Sequence, residues 1–243
     1  MIYISLTTIP PRIKNLNKSV DSLLNQTQKP DKIFINIPYK YKRFDETIRD
    51  DQIPKFNNKI VEIVRCEDRG PGTKLMGSLK KFEKDSLIVL ADDDHIYENY
   101  MVEKFFYFYS IKPDNAFSFY VHPIGNFGVG QGADGFAINT NHLSGISEFY
   151  EKIIKDYKEL FLNDDLWISY FLNILKKKKI LSLRQYIKNN NNKNPPLIYK
   201  THNHESSLVS LYGNNLIDAV KRRDQISVES FKYMLKKTKD LVF

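Results

Sequence analysis

In the stretch Ser86-Leu-Ile-Val-Leu-Ala-Asp-Asp-Asp-His-Ile-Tyr97, a short apolar run, Leu87 to Ala91, ends in three consecutive carboxylates, Asp92, Asp93 and Asp94. The unbroken run has the pattern of a strand buried on both faces, as inside a parallel sheet. Acids at the carboxyl end of such a strand stand where open α/β sheets bind ligands. Side chains alternate along extended chain, which predicts that Asp92 and Asp94 share a direction and Asp93 points away. Two convergent carboxylates suit a hard divalent cation, which takes oxygen ligands. Without a cation they repel, and one pKa rises. An acidic turn capping the next helix accounts for the same residues, because Asp is common in turns.

Upstream, Ile2 to Leu6 reads as a first strand entering Thr7-Thr-Ile-Pro-Pro-Arg12, whose prolines stop it. A helix follows over about 15–25, with Leu16, Val20, Leu23 and Leu24 on one face, then strands at Lys32 to Ile37 and Ile60 to Val64. Next comes Arg65-Cys-Glu-Asp-Arg-Gly-Pro-Gly-Thr-Lys74, a loop entering a short helix over 74–82. Gly70 and Gly72 let backbone N–H groups approach a ligand, Thr73 can cap the helix, and Lys74 offers a point charge to a phosphate. An ordinary strand-to-helix turn explains the same loop, and no Walker pattern is present.

Downstream, an aromatic-rich helix over about 99–110 and a strand at Ala116 to Tyr120 precede Gly125-Asn-Phe-Gly-Val-Gly-Gln-Gly-Ala-Asp-Gly135. That segment holds half of the ten glycines and suits either a tight hairpin or a surface that a substrate approaches closely. After a strand at Phe136 to Asn139, a helix is predicted over 141–160. A second begins at Asn163-Asp-Asp-Leu-Trp167, where capping explains one acid but not two. Asp165 is therefore a candidate general base if it faces a cleft. Ile180 to Leu183 reads as a strand, 189–196 as a mobile loop, and Ser227 to Lys239 as a basic helix. His202 and His204, two of the five histidines, stand beside Asn203 and Glu205 as candidate metal or phosphate contacts.

With 42% hydrophobic residues over 243 positions, the chain can build one sizeable core, and a single domain over 1–243 is expected, with a helical extension from about 213. No apolar run reaches the roughly 18 residues of a membrane span. The start lacks a basic n-region, and the one cysteine, Cys66, suits a reducing compartment, so a cytoplasmic location is expected (the host cytoplasm if the source is viral). The net charge of +8 is spread along the chain rather than gathered in a stripe, which argues against nucleic acid as the partner and leaves room for peripheral attraction to anionic surfaces.

Taken in order, these pieces resemble the nucleotide-sugar glycosyltransferases of the GT-A fold, closest to small viral and bacterial glycan-building types. The shared pattern is the Thr7-Thr-Ile-Pro-Pro-Arg12 entry, the Gly70-Pro-Gly-Thr-Lys74 loop, Asp92-x-Asp94 ending a buried strand, Asp164-Asp165 opening a helix, and a histidine near the carboxyl end. The resemblance implies an α/β fold: a Rossmann-like, mostly parallel mixed sheet flanked by helices. It implies that Asp92 and Asp94, with His202 or His204, hold Mn²⁺ or Mg²⁺ against the donor diphosphate. Thr7, Thr8 and Arg12 then cup the base and ribose, and Asp68, Lys74 and Asp93 lie along the donor. Gly132, Asp134 and Gly135 form part of the acceptor or sugar wall, and Asp165 deprotonates the acceptor hydroxyl. The usual Glu-Asp pair reads Asp164-Asp165 here, so either acid can be the base. The donor implied is a UDP-sugar and the acceptor a glycan or another hydroxyl.

Two other classes compete. A metal-dependent nucleotidyl- or phosphotransferase calls for a glycine-rich phosphate loop after the first strand, where this chain has Thr-Thr-Ile-Pro-Pro. A non-catalytic nucleic-acid or glycan binding module predicts that the acids and histidines can be replaced without loss of binding.

Overall fold

A computed structural model describes residues 1–187, 197–201, 216–239 and 241. Its strands are β1 (Ile2–Thr7), β2 (Lys32–Pro38), β3 (Val61–Cys66), β4 (Leu87–Leu90), β5 (His95–Tyr97), β6 (Ala116–Ser118), β7 (Val121–Ile124), β8 (Phe127–Gly130), β9 (Phe136–Asn139), β10 (Ile180–Ser182) and β11 (Ile198–Thr201). Its α-helices are α1 (Leu16–Leu24), α2 (Thr73–Met76), α3 (Met101–Ile111), α4 (Ile146–Phe149), α5 (Lys158–Phe161), α6 (Asp164–Tyr170) and α7 (Leu216–Thr238).

Seven strands form one sheet in the order β10-β6-β9-β4-β1-β2-β3. The pairs β1–β2, β1–β4, β2–β3 and β6–β10 are parallel, and only β9 runs against its neighbours β4 and β6. This is the mostly parallel mixed sheet that the resemblance implied. Alternate residues of each strand enter opposite layers. Ile4, Leu6, Ile33, Leu87 and Val89 pack against Leu16, Val20 and Leu23 of α1 and Met101 and Phe105 of α3. Tyr3, Phe34, Ile88, Leu90 and Phe136 pack against Trp167 and Tyr170 of α6, Phe149 of α4 and Met234 of α7. Both faces are covered, so the strands have no polar side to spare.

The short helix α2 is pinned to the sheet by buried polar groups. Ser5 donates to the Lys74 carbonyl at 2.5 Å, and Asn36 donates to Ser5 Oγ at 2.9 Å and to the Leu6 carbonyl at 3.0 Å. A side chain on Gly77 would enter Asn36, 2.5 Å from its Oδ1. These bonds fix where Lys74 projects.

Several boundaries differ from the sequence expectation. The helix predicted over 74–82 stops at Met76 and is followed by a single 3₁₀ turn, Leu79–Lys81. The helix predicted over 141–160 is broken. Gly145 adopts φ +85, and a π turn at Tyr150–Ile154 separates α4 from α5. The basic carboxyl-terminal helix is longer than expected and is anchored: Phe231 packs 4.9 Å from Phe127, and Thr238 shares a 2.5 Å hydrogen bond with the Tyr170 hydroxyl. The glycine-rich segment is a hairpin, β7–β8, turning at Gly125 with φ +60. The pairing of β5 with β11 was not anticipated. The loop expected over 189–196, and His202 and His204, lie outside the described residues. Among the described residues, no helix is long and apolar enough to cross a membrane.

Candidate active site

The carboxyl ends of β1, β2, β3 and β4 open into a cavity of about 440 Å³. Three segments shape its walls. After β1, Pro10 and Pro11 force a 3₁₀ turn, Pro10–Asn15, whose buried Ile13 anchors it and leaves Arg12 directed at the acids. After β3, the loop through Gly70 returns to α2. Gly70 has φ +62, and a side chain there would collide with the Phe161 carbonyl at 2.2 Å. After β4, the chain turns at once into β5, so the strand alternation that set Asp93 apart does not extend through the three acids.

Asp93 therefore does not point away. It lines the same cavity as Asp92 and Asp94, and accepts from Thr8 Oγ1 at 2.6 Å and from Arg12 at 2.8 Å. Arg12 also reaches Asp94 Oδ2 at 3.0 Å, so one guanidinium clamps two adjacent carboxylates. Lys74, read in the sequence as a point charge for a phosphate, lines the cavity but is 3% exposed, with Nζ 2.5 Å from Asp92 Oδ1 and 3.2 Å from Asp164 Oδ2. Thr73 caps no helix; its hydroxyl accepts the Arg69 N–H at 2.8 Å and closes the loop.

Of the other residues singled out in the sequence, Thr7, Asp68, Asp134 and Asp164 line the cavity. Thr7 donates to the Asn36 carbonyl at 2.8 Å. Asp68 accepts the backbone N–H groups of Lys42 at 2.6 Å and Gly70 at 2.9 Å, tying together the two loops at that end. Asp165 stands behind the wall rather than on it, accepting the Gly132 N–H at 2.9 Å. A side chain on Gly132 would come within 2.6 Å of Asp165 Oδ1 and 3.3 Å of Lys74 Nζ. Gly135 is not part of the wall: at φ +95 it turns the chain against Phe105, 2.7 Å from where its Cβ would stand. The glycine-rich segment is nevertheless tied to the acids, because the Tyr97 hydroxyl accepts the Asp92 N–H at 2.7 Å and donates to the Ala133 carbonyl at 3.1 Å.

Among the described residues, six carboxyls line the cavity (Asp68, Asp92, Asp93, Asp94, Asp134 and Asp164) against three fixed cations, Arg12, Arg43 and Lys74. The imbalance perturbs the titrations. Burial and the adjacent Asp92 push Asp94 up to about 7 despite Arg12. Burial and the adjacent Asp164 push Asp165 up to about 8. Asp164 is raised by burial against the pull of Lys74, while Asp92, the more exposed of the two, is held below its ordinary value by Lys74 against its own desolvation. Lys74 is held well above its own, because Asp164 and Asp92 outweigh its desolvation. Burial lowers His95, leaving a neutral imidazole beside the acids at pH 7.

Asp92, Asp94 and His95 each offer a ligand atom, and these atoms lie within 4.8 Å of one another. Asp94 Oδ1 is buried with no hydrogen-bond partner among the described residues. An orphaned carboxylate oxygen beside a second carboxylate and a neutral imidazole fits a divalent cation. Sequence reading missed His95, although the signal was there: a histidine immediately following three acids.

Solved structures align over nearly the whole chain. The mannosyltransferase PcManGT from Pyrobaculum calidifontis, in complex with GDP-Man and Mn²⁺, matches with a TM-score of 0.52 and 11% identity, covering 98% of this chain and 74% of that one. S. aureus TarS 1–349, in complex with UDP-GlcNAc, matches with a TM-score of 0.51 and 12% identity over the same shares. The chain has the GT-A fold. Against the longer S. aureus TarS chain it spans 44% of the length. No protein-family model matches the sequence, and no curated protein matches it. At such identities the likeness establishes the GT-A fold, and the reaction has to be argued from the site.

Proposed function

We propose that the protein transfers a glycosyl group from a nucleoside-diphosphate sugar, with a UDP-sugar favoured, to a hydroxyl of a glycan or another acceptor, with a divalent metal ion, Mn²⁺ or Mg²⁺. One observation carries the reading: among the described residues, a cavity at the carboxyl ends of parallel strands gathers six carboxyls around three fixed cations. A diphosphate entering alone would be repelled by that surplus; with a divalent cation it is attracted. The bound cation supplies Lewis-acid neutralisation of charge on the departing β-phosphate, worth several kcal/mol.

The chain's own residues then divide the work. Asp92 and Asp94 hold the metal-bearing end of the donor, with Arg12 fixing the direction of Asp94. Asp93, bonded to Thr8 and Arg12, keeps the first loop closed over the nucleoside side. Thr7, Thr8 and Asp68 border that side, and Asp134 lines the same cavity as the acids. The acceptor oxygen attacks the anomeric carbon as the bond to the β-phosphate oxygen breaks. Its proton passes to the Asp164–Asp165 pair, and the nucleoside diphosphate leaves. Two adjoining carboxyls titrate jointly, so the proton belongs to the pair; Asp164 lines the cavity and Asp165 sits near neutral pH. General-base help of this kind is worth about 10²–10⁴-fold.

The decisive experiment incubates the protein with UDP-, GDP- and dTDP-sugars, with and without Mn²⁺, and identifies the products released. Release of a nucleoside diphosphate only with metal supports the reading, whereas pyrophosphate release points to nucleotidyl transfer. Turnover in Asp94→Ala that persists in excess EDTA sinks it.

A further inference from the structure

We infer that His95 is a nitrogen ligand of the metal, and that this ligand tunes the site toward Mn²⁺ and other transition metals over Mg²⁺ and Ca²⁺. The inference rests on the proposed metal-dependent transfer and adds to it the third side chain and the metal it selects.

The imidazole is enclosed on one side by the acids and on the other by β11. Its Nδ1 is 3.0 Å from Thr201 Oγ1 on that strand, and its Nε2 is 3.5 Å from Asp94 Oδ1. The second distance is too long for a hydrogen bond, and Asp94 Oδ1 has no other partner although Asp94 is only 7% exposed. A buried oxygen and an imidazole nitrogen facing each other without a bond leave an interaction unmade. A cation between them completes it. Two ligand atoms each about 2.1 Å from one ion stand roughly 3.0–3.5 Å apart, which matches the observed separation without rearrangement.

Thr201 supplies the support such a ligand needs. Metal-bound histidines use one ring nitrogen on the metal while the other is held by a hydrogen bond that fixes tautomer and orientation. Here Nδ1 is the held atom and Nε2 the one turned to Asp94. The pairing of β5 with β11, in register at His95 and Thr201, builds that arrangement into the backbone. Two carboxylates alone favour hard cations; adding an imidazole favours ions that accept nitrogen, with Mn²⁺ the first of the series above Mg²⁺.

The test titrates metal-free protein with Mn²⁺, following loss of the free-ion EPR signal, and displaces it with Mg²⁺. His95→Ala is expected to weaken Mn²⁺ binding about 10–100-fold while changing Mg²⁺ binding little, and Thr201→Val to give a smaller loss of the same kind. Pulsed EPR of the Mn²⁺ complex carrying ¹⁵N-histidine is expected to show nitrogen coupling that disappears in His95→Ala and survives in the His202→Ala/His204→Ala double variant. Circular dichroism and melting without metal confirm that each variant is folded. If the coupling survives His95→Ala, or vanishes only in the double variant, His95 is not the ligand, and the glycosyl-transfer reading stands. If the wild-type protein binds no Mn²⁺ and turns over in EDTA, both readings fall together.

Discussion

The ammonium of Lys74 lies 2.5 Å from Asp92 Oδ1 in a pocket that nearly excludes water from the lysine. The same nitrogen is 3.2 Å from Asp164 Oδ2. One buried cation therefore joins the acid that follows β4 to the acid at the start of α6.

Removing that cation leaves two enclosed carboxylates uncompensated. Lys74→Met is expected to destabilise the protein by about 3–5 kcal/mol in urea unfolding, the usual cost of breaking a buried pair from one side. The Lys74→Met/Asp92→Asn double variant recovers part of the loss. Lys74 is held above its unfolded value, so its contribution is complete below about pH 10 and is lost only as pH rises through the higher folded value. A cost below about 1 kcal/mol would mean that the lysine is solvated and the pair weak.

Stability without metal should fall as pH rises from about 6.5 to about 8. Asp94 near 7 and Asp165 near 8 keep their protons in the folded chain over that range, where the unfolded chain has lost them. Through these two groups the folded state binds more protons, so the slope of stability against pH is negative there; at lower pH the half-buried or buried histidines His95, His122 and His142, each held below its ordinary value by burial, act with the opposite sign. Melting temperatures measured in EDTA across that range check the sign. Asp165→Asn should flatten the upper part of the decline and melt above wild type at pH 8. A wild-type curve that climbs steadily from about pH 6.5 to 8 contradicts both shifts.

The sheet was legible because its central strands are buried on both faces: Ile2 to Leu6, Lys32 to Ile37 and Leu87 to Leu90 read as short, mostly apolar, β-branched runs. The broken helix after Asn139 was not legible. Its apolar spacing is helical throughout, and only Gly145 marks the break, while the π turn at Tyr150–Ile154 leaves no sequence signature. The strand β5 is three residues long, and its partner β11 lies about a hundred residues later, beyond the reach of local pattern. The same pairing hid His95: its value depends on Thr201, which only the fold brings near. Asp93 was misread for a simpler reason, since alternation holds within a strand and the acids begin where the strand ends.

Gly132 tests the Asp164–Asp165 pair without replacing a titratable group. Its backbone N–H donates to Asp165, and a methyl group there would stand 2.6 Å from Asp165 Oδ1 and 3.3 Å from Lys74 Nζ. Gly132→Ala must displace the acid, the glycine-rich segment or both. A misplacement of about 1 Å near the reacting groups can cost 10²-fold. Transferase kcat is expected to fall by that order while donor KM and the melting temperature change little. A variant with wild-type kcat would show that the Asp165–Gly132 contact does not position the base.

Divalent metal should stabilise the folded chain, and more strongly at pH 8 than at pH 6. Binding only the folded state raises its stability by mass action, by about 2.7 kcal/mol at a hundredfold excess over Kd. Asp94 must be ionised to bind, and with its pKa pushed to about 7 a proton competes for it below neutrality. Thermal melts with 1:1 to saturating Mn²⁺ at both pH values measure the increments. In Asp94→Asn the pH dependence of the increment should disappear along with most of the increment. Equal increments at pH 6 and 8 in the wild-type protein would place the metal away from Asp94 and require a different reading of the three acids.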